Sequence, residues 1–239
     1  MSKAKFLMVD GLDGSGKGTI IEAVKKFCED SKLTILNLKE YCLEHISYPT
    51  TEEIAKHDVI LSHEPSYSFI GRAIREELID KAKDYSALSM THAFALDREI
   101  LYKKVIIPAI RLDKIIIQER GIITSVVYQP VQERIQLNEI IHLPGNKLAL
   151  QHAPNLLVIT KVTPEVAVNR NMGKNEVSTV FENLFFQRKI EERYNSEWLK
   201  SLFERFGTDV RYIDTNPPKG IEEIQKEAIE LWKNLLARK

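Results

Sequence analysis

Cysteine is scarce in this chain: Cys28 and Cys42 are the only two, and they form neither a CxxC pair nor a metal-ligand spacing. That excludes a disulfide framework and a thiolate metal site, and is the usage of a reducing compartment. Excess charge of either sign is missing as well. Lys plus Arg and Asp plus Glu number 34 each, so no global field draws the chain to nucleic acid or to an anionic membrane, and any anion site has to be built locally. Long apolar runs are absent too. The stretch after Met1-Ser2-Lys3-Ala4-Lys5 stops at Asp10, too short for a signal peptide, and no run approaches the ~18 residues of a membrane span. The expectation is a soluble cytoplasmic protein whose partners are small molecules.

What is present is a chain of 239 residues, 44% hydrophobic, long enough to bury a full core and read here as one domain over 1–239. Short apolar runs alternate with longer stretches of helical period, the pattern of a parallel β-sheet covered by helices in an α/β fold. Strands are expected at Phe6–Val9, at Leu33–Leu38 or Val59–Leu61, and at Lys114–Gln118, Leu156–Ile159 and Val210–Ile213. Amphipathic helices are expected at Thr19–Glu29 and Ile221–Leu236, with long ones over Ser86–Ile107 and Phe181–Phe206. The segment 39–58 fits none of these and reads as a short helical insertion or a loop.

Gly11-Leu12-Asp13-Gly14-Ser15-Gly16-Lys17 satisfies GxxxxGK between a predicted strand and a predicted helix, the context that makes the pattern a phosphate-binding P-loop of the NTPase fold. Glycines let successive N–H groups point inward, the helix N-terminus adds partial positive charge, and Lys17 supplies a cation for the outer phosphates of a nucleotide such as ATP. The loop is taken as 11–19. Gly18 stands where a Ser or Thr hydroxyl normally meets Mg²⁺, and Thr19 comes one residue late, so contact through water or through Thr19 stays open.

Reading on, several segments in order resemble the thymidylate kinase family and together span nearly the whole chain. Val9 to Lys17 is similar to its opening. Glu64-Pro65, with Ile70-Gly71 and Ile74-Arg75, looks like its acceptor-binding segment, and Phe94-Ala95-Leu96-Asp97-Arg98 like its phenylalanine and arginine helix. Glu119-Arg120, Thr124-Ser125 and Tyr128-Gln129 resemble its DR motif and continuation. Val162-Thr163-Pro164-Glu165-Val166-Ala167 with Arg170 resemble the approach to a lid at about 170–177, and Arg193-Tyr194 the helix after it. The sequence departs from the family at His63 (often Arg), Ser66-Tyr67 (Gly-Gly), Glu119 (Asp) and Lys161 (usually acidic).

The resemblance implies ATP- and Mg²⁺-dependent phosphorylation of a nucleoside monophosphate, with dTMP the favoured acceptor and dTDP the product. It also implies a homodimer and a cis Glu64–Pro65 peptide. Among residues it implies that Arg98 holds the acceptor monophosphate, Arg120 lies near the phosphates, and Phe94 stacks on the base. Asp13 would accept the sugar 3′-hydroxyl, and Tyr128 pack where a ribose carries its 2′-hydroxyl. Thr124, Ser125 and Gln129 would read the base edge. Chemistry independently asks for several cations around two polyanions, and Lys17, Arg98 and Arg120 are the catalytic candidates. Glu119 is a candidate for organising Mg²⁺, and Arg170 and Lys174 for closing over ATP.

Plain structural roles compete with these. Phe94 and Tyr128 would serve in a core, Arg98 would pair with a helix carboxylate on a solvated face, and Glu119 would be an exposed strand-end acid. A kinase for another monophosphate or for a deoxynucleoside stays open, as does a catalytically silent nucleotide-binding protein. A GTPase-like switch is disfavoured because no DxxG or NKxD follows the loop.

Overall fold

The computed structural model describes residues 4–79, 85–133, 135–171 and 177–238. Among these residues there are six strands: β1 (Lys5–Gly11), β2 (Ile35–Asn37), β3 (Val59–His63), β4 (Ile115–Glu119), β5 (Leu156–Lys161) and β6 (Asp209–Asp214). They form one sheet in the order β2-β3-β4-β1-β5-β6, and every neighbouring pair is parallel. Both members of the either-or pair, Leu33–Leu38 and Val59–Leu61, contain a strand. The first lies at the sheet edge and is only three residues long.

Period-two alternation explains how such strands can be apolar throughout. Phe6 and Met8 enter one core while Leu7 and Val9 enter another, the two-sided burial that parallel sheets require. One face is covered by the first helix (Lys17–Asp30) and the last (Ile221–Ala237), which contribute Ile20, Val24, Cys28, Ala228 and Trp232. Each large apolar side chain sealed there stabilises the fold by about 1.5–3 kcal/mol.

The other face carries the helices that build the site, chiefly Ala87–Leu101 and Ile122–Glu133. The run expected as one helix over Ser86–Ile107 is continuous but changes hydrogen-bonding pattern, with a π-helical turn at Tyr102–Ile106 before Ile107–Arg111. That expected over Phe181–Phe206 is two helices, Val177–Tyr194 and Glu197–Glu204, because Asn195 and Ser196 interrupt it. Segment 39–58 folds mainly as two short helices, Leu38–His45 and Thr51–Ala55, the second closed by a capping box between Thr50 and Glu53.

Gly145 sets one contact that matters later. A Cβ there would lie 1.8 Å from the Ala95 carbonyl oxygen, so helix Pro144–Gln151 meets helix Ala87–Leu101 backbone to backbone. Gly145→Ala must push the helices apart and should cost about 1–3 kcal/mol. Urea unfolding measures it, and an unchanged midpoint would mean that the helices part freely.

Candidate active site

The carboxyl ends of β1, β3 and β4 open into a cavity of about 1010 Å³, where ligands lie in open α/β sheets. The GxxxxGK loop joins β1 to the first helix. At its start Gly11 has φ +148°, and a Cβ would fall 2.1 Å from Thr160 Oγ1, so only glycine lets the loop press against β5. Ser15 Oγ and Thr160 Oγ1 are 2.5 Å apart, and Thr215 Oγ1 donates to the Ser15 carbonyl at 2.9 Å. Lys17 is buried and donates Nζ to the carbonyls of Gly11 (3.1 Å) and Leu12 (2.7 Å). Burial first, then the neighbouring Arg120 charge, lowers its pKa.

Arg120 leaves β4 with φ +63°, a left-handed conformation that costs a side-chain-bearing residue about 1–2 kcal/mol. Its N–H is held by the Val9 carbonyl at 2.9 Å, and its guanidinium pairs with Asp13. Burial alone would raise the Asp13 pKa, but Arg120 and Lys17 overcome it and hold the carboxyl below its usual range. Two of the three cations that sequence assigns to phosphates, Lys17 and Arg120, thus pair with Asp13.

Asp10 is a residue that the sequence reading passed over. Wholly buried, it accepts hydrogen bonds from Gly11 N–H (2.7 Å), Thr124 Oγ1 (2.6 Å) and Tyr194 OH (2.8 Å). An acid ending an apolar strand immediately before the glycine loop was the available signal.

Arg98 is 2% exposed and so is not on a solvated face. Its guanidinium grips Glu64 through Nε (2.8 Å) and Nη2 (2.7 Å), donates to Ser125 Oγ at 3.1 Å and bonds Asn146 Oδ1. Burial pushes Glu64 up to about 7 against the pull of Arg98. Arg98 also lines the cavity, with its charge already met by a buried carboxylate. Asn146, its second holder, carried no signal in sequence. Neighbouring Asp97 accepts from Ser66 N–H (2.7 Å) and Oγ (2.6 Å). The pair Asp97-Arg98 therefore fixes the segment Glu64–Ser66, whose Glu64–Pro65 bond is cis as expected.

Arg75 donates through Nε to the Pro65 and Ser66 carbonyls, 3.0 Å each, and lies 3.9 Å over the Tyr67 ring. It faces the cavity together with Phe94, Tyr128 and Gln129. Phe94 is half-buried, at the cavity wall rather than in the core. Gln129 is 3% exposed with neither amide atom hydrogen-bonded, and the Tyr128 hydroxyl is buried beside Arg120. Tyr128 packs at tilted angles on Phe186 and Tyr194. Arg170 donates to the carbonyls of Gly14 (3.3 Å) and Thr215 (2.7 Å), at the loop's outer edge. Thr19 stands half-buried in the first helical turn, away from the cavity lining. Lys174 and most of the expected lid, 172–176, lie outside the described residues.

A phosphate loop on β1, an arginine at the end of β4 and a large cavity that reaches the loop define a P-loop phosphotransferase of the nucleotide kinase class. The sequence model of the thymidylate kinase family matches residues 48–228. A thymidylate kinase of Caldicellulosiruptor saccharolyticus is 30% identical over 79% of this chain and 80% of its own. One of Clostridium novyi is 28% identical over 94% and 98%. The crystal structure of a thymidylate kinase from Ehrlichia chaffeensis superimposes with a TM-score of 0.64 at 20% identity, over 96% of this chain and 98% of that one. The chain belongs to the thymidylate kinase family.

Proposed function

We propose that the chain transfers the terminal phosphoryl group of ATP to dTMP, giving ADP and dTDP. The observation that carries the choice of acceptor is the unpartnered amide of Gln129 at the buried end of a cavity that reaches the phosphate loop. A buried amide left empty costs about 1–3 kcal/mol, which a base edge can recover. Ser125 and Gln129 lie one turn apart on helix Ile122–Glu133, and Ser125 accepts from Arg98. That contact supports reading Arg98 at the base end. A guanidinium only donates, so beside the amide it favours a pyrimidine with a carbonyl at position 4 over the amino group of cytosine. Phe94 supplies a stacking face, which by itself accepts every base.

At the other end, Arg75 and Arg120 serve the acceptor phosphate, Lys17 the donor phosphates, and Arg170 the outer rim of the ATP site. Asp13 takes the sugar 3′-hydroxyl, and Lys174 closes with the lid. Among the described residues no group of three or more His, Cys, Asp or Glu gathers as a metal cage. That fits Mg²⁺, which binds through one or two carboxylates with substrate phosphates and water. Glu119 would be that carboxylate. Gly18 offers no hydroxyl, so any loop contact to the ion would run through water or through Thr19. When bound, the ion neutralises charge shared between donor phosphates. No helix among the described residues is long and apolar enough to cross a membrane. A cytoplasmic location and a homodimer complete the reading.

A coupled ADP-release assay with dTMP, dUMP, dCMP, AMP and the ribonucleotide of thymine tests it. Highest kcat/KM is expected for dTMP, with dUMP next, because one methyl is worth only ~1–3 kcal/mol in a pocket. Tyr128→Ala should narrow the gap between deoxy and ribo acceptors. Equal rates on both sugars by the wild type, or a preference for AMP, would sink the dTMP assignment.

A further inference from the structure

Ser66 and Tyr67 stand where the family pattern has a pair of glycines, and both side chains tie down the segment that follows β3. Ser66 is buried and gives its N–H and Oγ to the Asp97 carboxylate, at 2.7 and 2.6 Å, while its carbonyl accepts from Arg75 Nε at 3.0 Å. Tyr67 is half-buried and packs against the core beneath the site helices. The Arg75 guanidinium lies over its ring, with Cζ 3.9 Å from the centroid, a distance at which arginine stacks on an aromatic face. Arg75 lines the cavity and Tyr67 does not. The ring therefore reaches a ligand there only through the arginine.

Hydrogen bonds pin the guanidinium along one side. Nε bonds the carbonyls of Pro65 and Ser66, and Nη2 bonds the Pro65 carbonyl and His63 Nδ1. Its remaining donors, on Nη1, meet no partner among the described residues. We infer that Tyr67 is a positioning residue for the acceptor phosphate: it carries Arg75 on its face, so that the N–H groups of Nη1 stay available to a phosphate oxygen. A pair of glycines would supply the same carbonyls and no ring, leaving the long arginine stem freer to swing. The inference rests on the reading of Arg75 as a ligand of that phosphate. Lys39, on helix Leu38–His45, is a second cation near the ring, but it is exposed and 5.4 Å from the centroid.

Calorimetry with dTMP tests the inference, beside thymidine, which lacks only the phosphate, measured by competition. Tyr67→Leu and Tyr67→Met remove the aromatic face and keep an apolar contact with the core. Each should weaken dTMP about fivefold and leave thymidine affinity as in wild type. Tyr67→Phe retains the ring and should bind dTMP as wild type does. So should Lys39→Ala, which removes charge at the rim and leaves the stack intact. Wild-type dTMP affinity in Tyr67→Leu and Tyr67→Met would overturn the inference. Equal losses of dTMP and thymidine would overturn it by making Tyr67 a packing residue of the whole pocket. A loss in Tyr67→Phe or Lys39→Ala as large as in Tyr67→Leu would do so too, by assigning the effect to the hydroxyl or to rim charge. Wild type that neither binds nor phosphorylates dTMP removes the functional reading and this inference together. Wild type that does both, beside an unaffected Tyr67→Leu, removes the inference alone.

Discussion

Lys17→Met lowers kcat by at least about 10²-fold with the fold intact, the loss expected when a donor aimed at developing charge is removed from a closed site. The lysine is 5% exposed and its ammonium rests on the carbonyls of its own loop, 3.1 and 2.7 Å away. Methionine keeps most of the buried stem, so packing changes little. Loss of the charge should therefore appear in turnover rather than in melting temperature. Steady-state kinetics with ATP and dTMP, beside a thermal melt, make the comparison. Near-normal turnover would show that the loop does not serve this chemistry.

Arg98→Ala has a larger effect on the protein itself. Removing one partner of a buried ion pair leaves a carboxylate without compensation and typically costs 3–5 kcal/mol. Here Glu64 would keep only its bond from Gln118 Nε2, at 3.1 Å. The deficit should depend on pH with a defined sign. Burial already raises Glu64 to about 7 with Arg98 present, and without it the folded pKa rises further above the unfolded value. The folded state then binds more protons than the unfolded state between those values, so stability is greatest below the unfolded pKa and falls as pH climbs through the folded one. Urea unfolding at pH 5 and pH 8 should show the variant much nearer to wild type at pH 5. Glu64→Gln in the same background should remove that dependence. dTMP binding should fall while ATP affinity stays close to wild type; if both fell equally, Arg98 would be structural or belong to the donor side.

The phosphate loop was legible because its chemistry is local: glycines, a lysine and the flanking elements are contiguous in sequence. Phe94 and Arg98 were visible as residues, but the partners of Arg98 were not. Spacing puts them on one face of a helix, yet only tertiary packing decides that Glu64, 34 positions away, meets the guanidinium. Asn146 and Thr160 were not visible at all, since a lone polar residue in a helix or strand has no pattern. His63 could be singled out only as a departure, because tertiary packing alone brings Arg75 to its ring. Segment 39–58 lacked a period long enough to assign, as its helices span eight and five residues.

Asp10 has a mechanical consequence. Its one carboxylate joins the first N–H of the phosphate loop, the helix carrying Ser125 and Gln129, and, through Tyr194, the last turn of helix Val177–Tyr194, which follows the expected lid. Three hydrogen bonds on two oxygens share one pivot. Any tilt of the Val177–Tyr194 helix loads the same atoms that orient Gly11 and Thr124. The phosphate loop, helix Ile122–Glu133 and helix Val177–Tyr194 are thus coupled through a single side chain, so a shift in any one of them is felt by the other two.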